Sequence, residues 1–339
     1  MNYAERLYRS TATRIGIAML SFLAFFHLLN SAALVLISVI VSFMPPVAGT
    51  VLYELASAIL YAASFSLPVL VYRLLPGQTP IQPMRLELCA PRETPLYILF
   101  GVAINSAAAA LNAIMVSFFD YAEFAEEYLW QTPSYTTNYE LVLMFFSVAV
   151  VPAFVEEFLF RGVVLSNLLP YGRTTAIVGS ALLFGLMHQN IQQFFYTTVA
   201  GLVLGWIYVR TQSIWPCVLM HFFNNFQSVL QTAVVERLPE ATGDVVLNWM
   251  DGSILLLGAV CGVLLLLSER DHRSAVRRSG VFEQEPPAEC YTPYPLSFKA
   301  SIKHFFNIPM IIFKVISVLL MLYYALMALL MPALLGGMA

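Results

Sequence analysis

The feature that most constrains this fold is a series of long apolar runs, each about as long as a bilayer is thick. A membrane-spanning helix needs about 20 mostly apolar residues. The chain of 339 residues is 59% hydrophobic and 11% charged, whereas an average soluble domain is about 25% charged. Too little polar sequence remains for a separate soluble domain. The sequence therefore predicts an all-α, polytopic transmembrane helical bundle.

The apolar runs predict eight core spans and a ninth, C-terminal span. The first run is too long for the core of a signal peptide and lacks a small-residue cleavage site, so we expect an uncleaved span. The alternative for the first part of the last run is a helix in the membrane interface, because basic residues surround it: Lys299, Lys303, His304 and Lys314. The predicted spans cover residues 15–44, 50–75, 95–119, 141–169, 174–190, 192–209, 214–235, 247–267 and 308–335.

Positive charge falls on alternate loops of this arrangement. Cytoplasmic loops of membrane proteins carry an excess of Lys and Arg. With the N-terminus in the cytoplasm, the outer loops hold only Arg237, while Arg161 and Lys314 lie within spans. We therefore expect a multi-pass protein of the cell membrane with a cytoplasmic N-terminus. The inner segments hold the other basic residues, which are Arg6, Arg9, Arg14, Arg73, Arg85, Arg92, Arg173, Arg210, Arg270, Arg273, Arg277, Arg278, Lys299 and Lys303.

Three charged residues interrupt the fourth span. Charged groups are rare inside membranes because their desolvation is costly, so they indicate a functional site by default. Glu157 and Arg161 are four residues apart, so on a helix they stack on one face and neutralise each other. Their purely structural interpretation is a buried ion pair that locks the helix. Glu156 points about 100° away and has no local partner, which favours a functional role.

Spans five and seven carry three further polar residues, namely His188, His221 and Asn225. His221 and Asn225 are four residues apart and therefore share one helix face. A single buried histidine is commonly explained by a hydrogen bond to a neighbouring helix. Here, at about 1.5 Å of rise per residue, Glu156 and the three residues fall roughly 10–20 Å from the inner ends of their spans. This common depth on three helices predicts that they converge.

A carboxylate, two imidazoles and an amide suit two kinds of hydrolytic chemistry. In the first, Glu156 and His188 hold a water that attacks a carbonyl, while His221 and Asn225 donate hydrogen bonds to the oxyanion. In the second, Glu156, His188 and His221 bind Zn²⁺, which activates the water. No His-Glu-x-x-His motif is present, so a metal site would require ligands from separate helices. Nucleophilic catalysis by Cys217 has little support.

Three motifs resemble those of one family of membrane proteins. The sequence is similar to the CPBP family, also called Abi, which comprises type II CAAX prenyl endopeptidases and bacteriocin-processing or bacteriocin-immunity proteins. The motifs occur in family order and cover about 75 residues. They are Glu-Glu-x-x-x-Arg at Glu156 to Arg161, Phe-x-x-x-His at Phe184 to His188, and His-x-x-x-Asn at His221 to Asn225.

The resemblance implies intramembrane proteolysis. Carried over to this chain, Glu156 and His188 activate the water, and His221 and Asn225 stabilise the oxyanion. The best-known substrates of the family are prenylated proteins with a C-terminal CAAX tail. We therefore expect a peptide or prenylated protein substrate and membrane lipids as partners. Dispersed basic residues without an aromatic-interleaved patch give no support for nucleic-acid binding.

The resemblance also assigns the remaining motif residues and bears on the cofactor. Glu157 and Arg161 would support the site or orient the substrate. Family members are often described as metalloproteases, yet the prenyl-protease branch is understood as a glutamate-type enzyme. We favour catalysis without a cofactor, with zinc as the alternative.

The motifs suggest a division of the chain into three segments. We expect spans one to three with an acidic outer loop at 1–140, a catalytic core of spans four to eight at 141–268, and a basic cytoplasmic linker with an anchoring span at 269–339. Two other functions remain open: a non-proteolytic immunity or binding protein of the same fold, and a proton-coupled transporter. Four cysteines without paired spacing predict free thiols, and these are Cys89, Cys217, Cys261 and Cys290.

Overall fold

The computed structural model describes residues 1–77, 79–88, 92–117, 137–279 and 293–336. These residues form ten helices and no strand, which confirms the predicted all-α fold. The helices are α1 (Tyr3–Val41), α2 (Pro46–Leu74), α3 (Thr94–Ser117), α4 (Asn138–Tyr171), α5 (Arg173–Met187), α6 (Ile191–Thr211), α7 (Trp215–Arg237), α8 (Glu240–Ser279), α9 (Phe298–Phe305) and α10 (Ile308–Gly336).

A helix occupies the position of every predicted span, but the helices differ in character. Among the described residues, six are long and apolar enough to cross a membrane, namely α1, α2, α3, α4, α8 and α10. Predicted spans five to seven are α5, α6 and α7. Helix α5 has only 15 residues, and α6 and α7 carry polar side chains that line an internal cavity. The protein is a multi-pass membrane protein, while the count of nine spans and the orientation of the N-terminus stay predictions.

The first helix begins well before the predicted start of span one. Asn2 Oδ1 accepts a hydrogen bond from the Glu5 backbone nitrogen at 2.8 Å, and Glu5 Oε2 accepts one from the Asn2 backbone nitrogen at 2.8 Å. This reciprocal cap satisfies two donors that a helix start leaves open. Beyond the cap, Tyr8 and Ile15 pack into the core and are 1% exposed. The polar first turns therefore belong to the helix rather than to a tail.

A separate short helix precedes the last predicted span. Lys299 and Lys303 lie on the short helix α9, which Phe306 and Asn307 separate from α10. Lys314 lies within α10. The apolar run itself forms one helix of 29 residues, and the interfacial alternative for its first part stays a prediction.

Two predictions lie partly outside the described residues. Cys217 and Cys261 are free and buried, as predicted, whereas Cys89 and Cys290 are not described. Most of the predicted acidic outer loop at 120–140 also falls outside the described residues.

Apolar side chains on the outer helices point away from the protein. Leu28 on α1, Leu256 on α8 and Leu319 on α10 are 69%, 67% and 58% exposed. Exposed apolar surface on this scale marks contact with a partner or a membrane. By contrast, α4, α5 and α6 bring fully buried side chains to the core, such as Leu159, Leu183 and Ile207. The fold is therefore a central group of helices inside a lipid-facing belt.

Contacts near the helix ends show that successive helices run in alternating directions between the two ends of the bundle. At one end, Arg14 Nη2 donates to the Tyr72 carbonyl at 3.0 Å, and the Leu296 nitrogen donates to the Tyr171 carbonyl at 3.0 Å. At the other end, Arg237 Nη1 donates to Asn138 Oδ1 at 2.7 Å. The starts of α1, α3, α5 and α7 therefore lie together, with their far ends opposite.

This alternation separates charge along the bundle. We call the two sides the basic end and the acidic end. At the acidic end the described charged residues are Glu140, Glu236, Glu240, Asp244 and Arg237. At the basic end they are Arg6, Arg9, Arg14, Arg73, Arg85, Arg92, Arg173, Arg210, Lys299 and Lys303, together with Glu5, Glu87 and Glu93.

Glycines permit close helix contacts at two places. A Cβ atom on Gly201 of α6 would lie 2.8 Å from the Ala181 Cα of α5, so the small residue lets these two helices approach closely. A Cβ atom on Gly258 of α8 would lie 2.0 Å from the Ala103 Cβ of α3. Helices α3 and α8 therefore require a glycine at this contact.

We expect Gly258→Ala to destabilise the protein by about 1–3 kcal/mol, because the added methyl group overpacks the contact between α3 and α8. The matched control is Gly252→Ala on the same helix, where no atom lies within 4 Å of the added Cβ. The control should be neutral or more stable by up to about 1 kcal/mol, since alanine favours helix. Thermal unfolding of the purified protein in detergent measures both. Equal melting temperatures for the two variants would contradict the described contact.

Candidate active site

Helix α4 presents the Glu-Glu pair on a short α-helical stretch between two wider, π-helical segments. The α-helical stretch is Val151–Leu159, and the π-helical segments are Phe145–Val150 and Phe160–Leu165. Such π-helical insertions are frequent at functional sites. They change the direction of side chains on either side of Glu156 and Glu157 without ending the helix.

Glu157 and Arg161 form the predicted ion pair, and both side chains are 0% exposed. Arg161 Nη1 donates to Glu157 Oε1 at 2.9 Å, and Arg161 Nη2 donates to the Gly201 carbonyl at 3.2 Å. The guanidinium also lies 4.9 Å from the centre of the Phe184 ring. The pair therefore joins α4 to α5 and α6. Its complete burial fits a supporting role better than contact with a substrate.

His221 is joined to this ion pair, which the sequence had not indicated. His221 Nδ1 lies 2.8 Å from Glu157 Oε1. Since an ionised carboxylate only accepts hydrogen bonds, Nδ1 carries the proton and donates it. The imidazole is thereby fixed with Nε2 directed to the other carboxylate, 4.0 Å from Glu156 Oε2. Glu157 thus orients His221, and His221 faces Glu156.

Glu156 has a hydrogen-bond partner from a distant part of the chain. Tyr61 on α2 donates its phenolic proton to Glu156 Oε1. Glu156 Oε2 is buried and has no hydrogen-bond partner among the described residues. The absence of a local partner was predicted correctly. One carboxylate oxygen is thus held by Tyr61, and the other remains available.

His188 caps the C-terminal end of α5. Its Nδ1 lies 2.9 Å from the Phe184 carbonyl, so Nδ1 carries a proton and donates it. In the neutral ring, Nε2 is then the nitrogen with the lone pair. The chain reverses at the next residue, because Gln189 adopts a left-handed conformation with φ of 52°. This turn places the imidazole at the wall of the internal cavity.

Asn225 lies one helical turn beyond His221. Its Nδ2 donates to the Val148 carbonyl at 3.0 Å, which uses one of its two amide protons. The preceding residue, Asn224, accepts a hydrogen bond from Asn105 on α3. Asn225 is therefore held in place by α4 while it retains a second donor.

Glu156, His188, His221 and Asn225 line one cavity of about 560 Å³. Their predicted convergence is thus present in the structure. The cavity also exposes residues that sequence reasoning did not select: Tyr61, Asn105, Ser147, Gln193, Tyr196, Asn224, Ser228 and Thr232. A polar side chain within a predicted span was the available signal for them.

A zinc site needs at least three suitable side chains close together. Among the described residues, no three His, Cys, Asp or Glu side chains come together in a group that could hold a metal ion. In the alternative zinc set, His221 Nδ1 is bound to Glu157 and Glu156 Oε1 to Tyr61, an arrangement that metal ligands also commonly show. The zinc set of Glu156, His188 and His221 therefore stays a prediction.

Comparison with known proteins gives one family match. The family model described as "Type II CAAX prenyl endopeptidase Rce1-like" matches residues 138–227. No curated protein and no solved structure matches the chain. The matched stretch begins at the start of α4, ends within α7, and includes all six candidate residues. It supports a membrane protease of CAAX type in general. The resemblance predicted from the three motifs is therefore confirmed: from α4 to α7 this chain is similar to the Rce1-like type II CAAX prenyl endopeptidases.

Proposed function

We propose that this protein is an intramembrane endopeptidase of the glutamate type, which cleaves a peptide bond near a membrane-embedded or lipidated C-terminus. The observation that carries the proposal is the contrast between two adjacent carboxylates. Glu157 is 0% exposed and bound to Arg161 and His221. Glu156 lines the cavity, with Oε1 bound by Tyr61, whereas Glu157 is not among the residues that line it. Glu157 therefore organises the site, and Glu156 is the base.

The water is activated between Glu156 and His188. Glu156 Oε2 removes one proton from the water, and His188 Nε2 accepts a hydrogen bond from the other. The water oxygen forms a bond to the carbonyl carbon, and the carbonyl π electrons move to its oxygen. Breakage of the C–N bond then releases an amine, which takes the proton held by Glu156. The protein ends each cycle in its starting protonation state.

His221 and Asn225 stabilise the negative charge on the tetrahedral intermediate. His221 Nδ1 already donates to Glu157, so donation from Nε2 requires the imidazolium form. With this charge, two carboxylates face one guanidinium and one imidazolium, and the site is neutral. Attack moves the negative charge from Glu156 to the oxyanion, beside donors that are already oriented. Such preorganised donors commonly supply a large part of the rate enhancement.

The size of the cavity and the family match support the substrate class. A cavity of about 560 Å³ lies within the usual range for ligand sites, which is about 300–1,000 Å³. The match to Rce1-like prenyl endopeptidases favours a CAAX-type or otherwise lipidated protein tail. The catalytic core then corresponds to the proposed segment 141–268. No step of the mechanism requires a metal.

We expect Glu156→Gln to reduce cleavage of a prenylated CAAX peptide by about 10²–10⁴-fold, because the amide cannot accept the water proton. Purified wild-type and variant proteins are compared in detergent, each with and without a strong chelator. Cleavage by the wild type should be indifferent to the chelator. Sensitivity that zinc restores would replace the proposal with a metallopeptidase. Equal cleavage by both proteins would exclude Glu156 as the base.

Glu157→Gln should act on stability rather than only on turnover. It leaves the buried Arg161 without its counter-charge, and breaking a buried pair in this way costs about 3–5 kcal/mol. The adjacent variant Glu156→Gln is the matched control and should unfold close to the wild-type temperature. Thermal unfolding in detergent compares the two. If Glu157→Gln were as stable as Glu156→Gln, the organising role of the buried pair would be wrong.

Tyr61→Phe should lower kcat by roughly 10- to 100-fold, since a hydrogen bond to a charged group contributes about 1.5–3 kcal/mol. KM should change little, because the lost contact positions Glu156 and does not bind the substrate. The control is Tyr53→Phe on the same helix, whose side chain is 37% exposed. Steady-state kinetics on the same peptide measure both. A wild-type kcat for Tyr61→Phe would show that the contact does not position the base.

A further inference from the structure

We propose that a second cavity, at the basic end of the bundle, binds a phosphate group, and that an anionic membrane lipid supplies it. This cavity has a volume of about 400 Å³ and lies between the start of α1 and the residues that follow α2. No residue lines both this cavity and the candidate active site. The inference therefore stands apart from the proposed function.

Three arginines of α1 line this cavity, namely Arg6, Arg9 and Arg14. Arg6, Ser10 and Arg14 follow one another at intervals of four residues, which places them on one face of the helix. Arg9 and Thr13 are each offset by one residue and lie beside that row. The cavity thus meets three guanidinium groups and two hydroxyl-bearing side chains on a single helix.

Arg14 is the most buried of the three arginines and is 4% exposed. Its Nη1 donates to the Thr79 carbonyl at 3.3 Å, and its Nη2 donates to the Tyr72 carbonyl at 3.0 Å. The guanidinium also lies 4.5 Å from the centre of the Tyr72 ring. All these partners are neutral, and Nε has no hydrogen-bond partner among the described residues. Because a buried cation without a counter-charge is costly, an anion in the adjoining cavity would stabilise it.

The described part of the chain supplies no carboxylate to this cluster. None of the three arginines takes part in its ion pairs. The neighbouring Glu5 instead accepts a hydrogen bond from the Asn2 nitrogen and lies 3.9 Å from His304 Nε2. Arg6 and Arg9 are both exposed. Since guanidinium groups match phosphate oxygens with paired hydrogen bonds, phosphate is the anion that suits this set.

The apolar part of the cavity favours a lipid over a soluble ester as the source of the phosphate. One turn beyond Thr13, α1 presents Ile17, while Leu75 and Pro76 line the cavity from the end of α2. Arg14 directly precedes the predicted first span, so charged and apolar lining meet where that span begins. A phospholipid has the same order of charged head and apolar chain. Basic pockets between transmembrane helices at the membrane surface bind such head groups.

Native mass spectrometry of the delipidated protein in an uncharged detergent tests the site. Dioleoyl phosphatidylglycerol, which has a net negative charge, is titrated beside dioleoyl phosphatidylcholine, which has the same acyl chains and no net charge. The wild type should bind phosphatidylglycerol roughly tenfold more tightly, because hydrogen bonds between charged groups are the strong ones. Equal affinity for the two lipids would overturn the proposal.

Two double variants with the same loss of charge separate the cavity from the general attraction of a basic surface. Arg6→Gln/Arg9→Gln removes the exposed pair and leaves Arg14 bound to α2. The matched control is Arg92→Gln/Arg173→Gln, since both residues are exposed at the basic end and lie outside the cavity. The first variant should bind phosphatidylglycerol roughly tenfold more weakly, and the control should stay within about twofold of the wild type. An equal loss in both variants would exclude a specific site.

sn-Glycerol 3-phosphate distinguishes the two sources of phosphate, because it carries the phosphate without acyl chains. Excess glycerol phosphate should leave phosphatidylglycerol bound. If it displaces the lipid at equal concentration, the ligand is a soluble phosphate ester and the lipid assignment is wrong.

Thermal unfolding in the same detergent gives an independent readout that also shows whether the variants fold. Phosphatidylglycerol should raise the Tm of the wild type and of the control variant, because a ligand that binds only the native state stabilises it. The rise should be smaller for Arg6→Gln/Arg9→Gln. The same rise in all three proteins would contradict binding at this cavity.

Discussion

The buried ion pair of Glu157 and Arg161 is the interaction on which the rest of this structure depends. Two charges that are both 0% exposed are tolerable in a low-dielectric interior only when each neutralises the other and further hydrogen bonds offset part of the lost hydration. Here the further bonds come from other helices, through His221 and the Gly201 carbonyl. The pair therefore fixes the relative positions of α4, α6 and α7. Any catalytic geometry at Glu156 is inherited from that arrangement.

Sequence reasoning succeeded where the periodicity of one helix was sufficient. The spacing of Glu157 and Arg161 predicted their pairing, and the spacing of His221 and Asn225 predicted a shared face. It failed where the partner came from another helix, because spacing carries no information about which faces meet. The hydrogen bond from Tyr61 to Glu156 joins residues 95 positions apart, and nothing in either local pattern indicates it.

For the fold, too, the sequence predicted features that depend on one helix better than features that depend on contacts between helices. Apolar runs located every described helix except the short α9, since burial in lipid requires apolar side chains over a fixed length. The polar cap formed by Asn2 and Glu5 extended the first helix beyond the apolar run, so its start was placed too late. Helices α5 to α7 were predicted as spans like the others, yet their polar lining and the short length of α5 set them apart. In this bundle, the helices that differ from regular spans in length or polarity are among those that line the candidate site.

The turn after α5 has a consequence for water. A chain that reverses within the bundle leaves backbone groups without helical partners, and lipid cannot satisfy them. One is met by a side chain, since Asn190 Oδ1 accepts from the Gln192 nitrogen at 2.8 Å and caps α6. Water in the polar cavity beside this turn would satisfy others. Hydrolysis needs the same hydration, because water is itself a reactant. In the proposed reaction, a structural irregularity that would otherwise be a defect in a membrane protein thus lies where water is needed as a substrate.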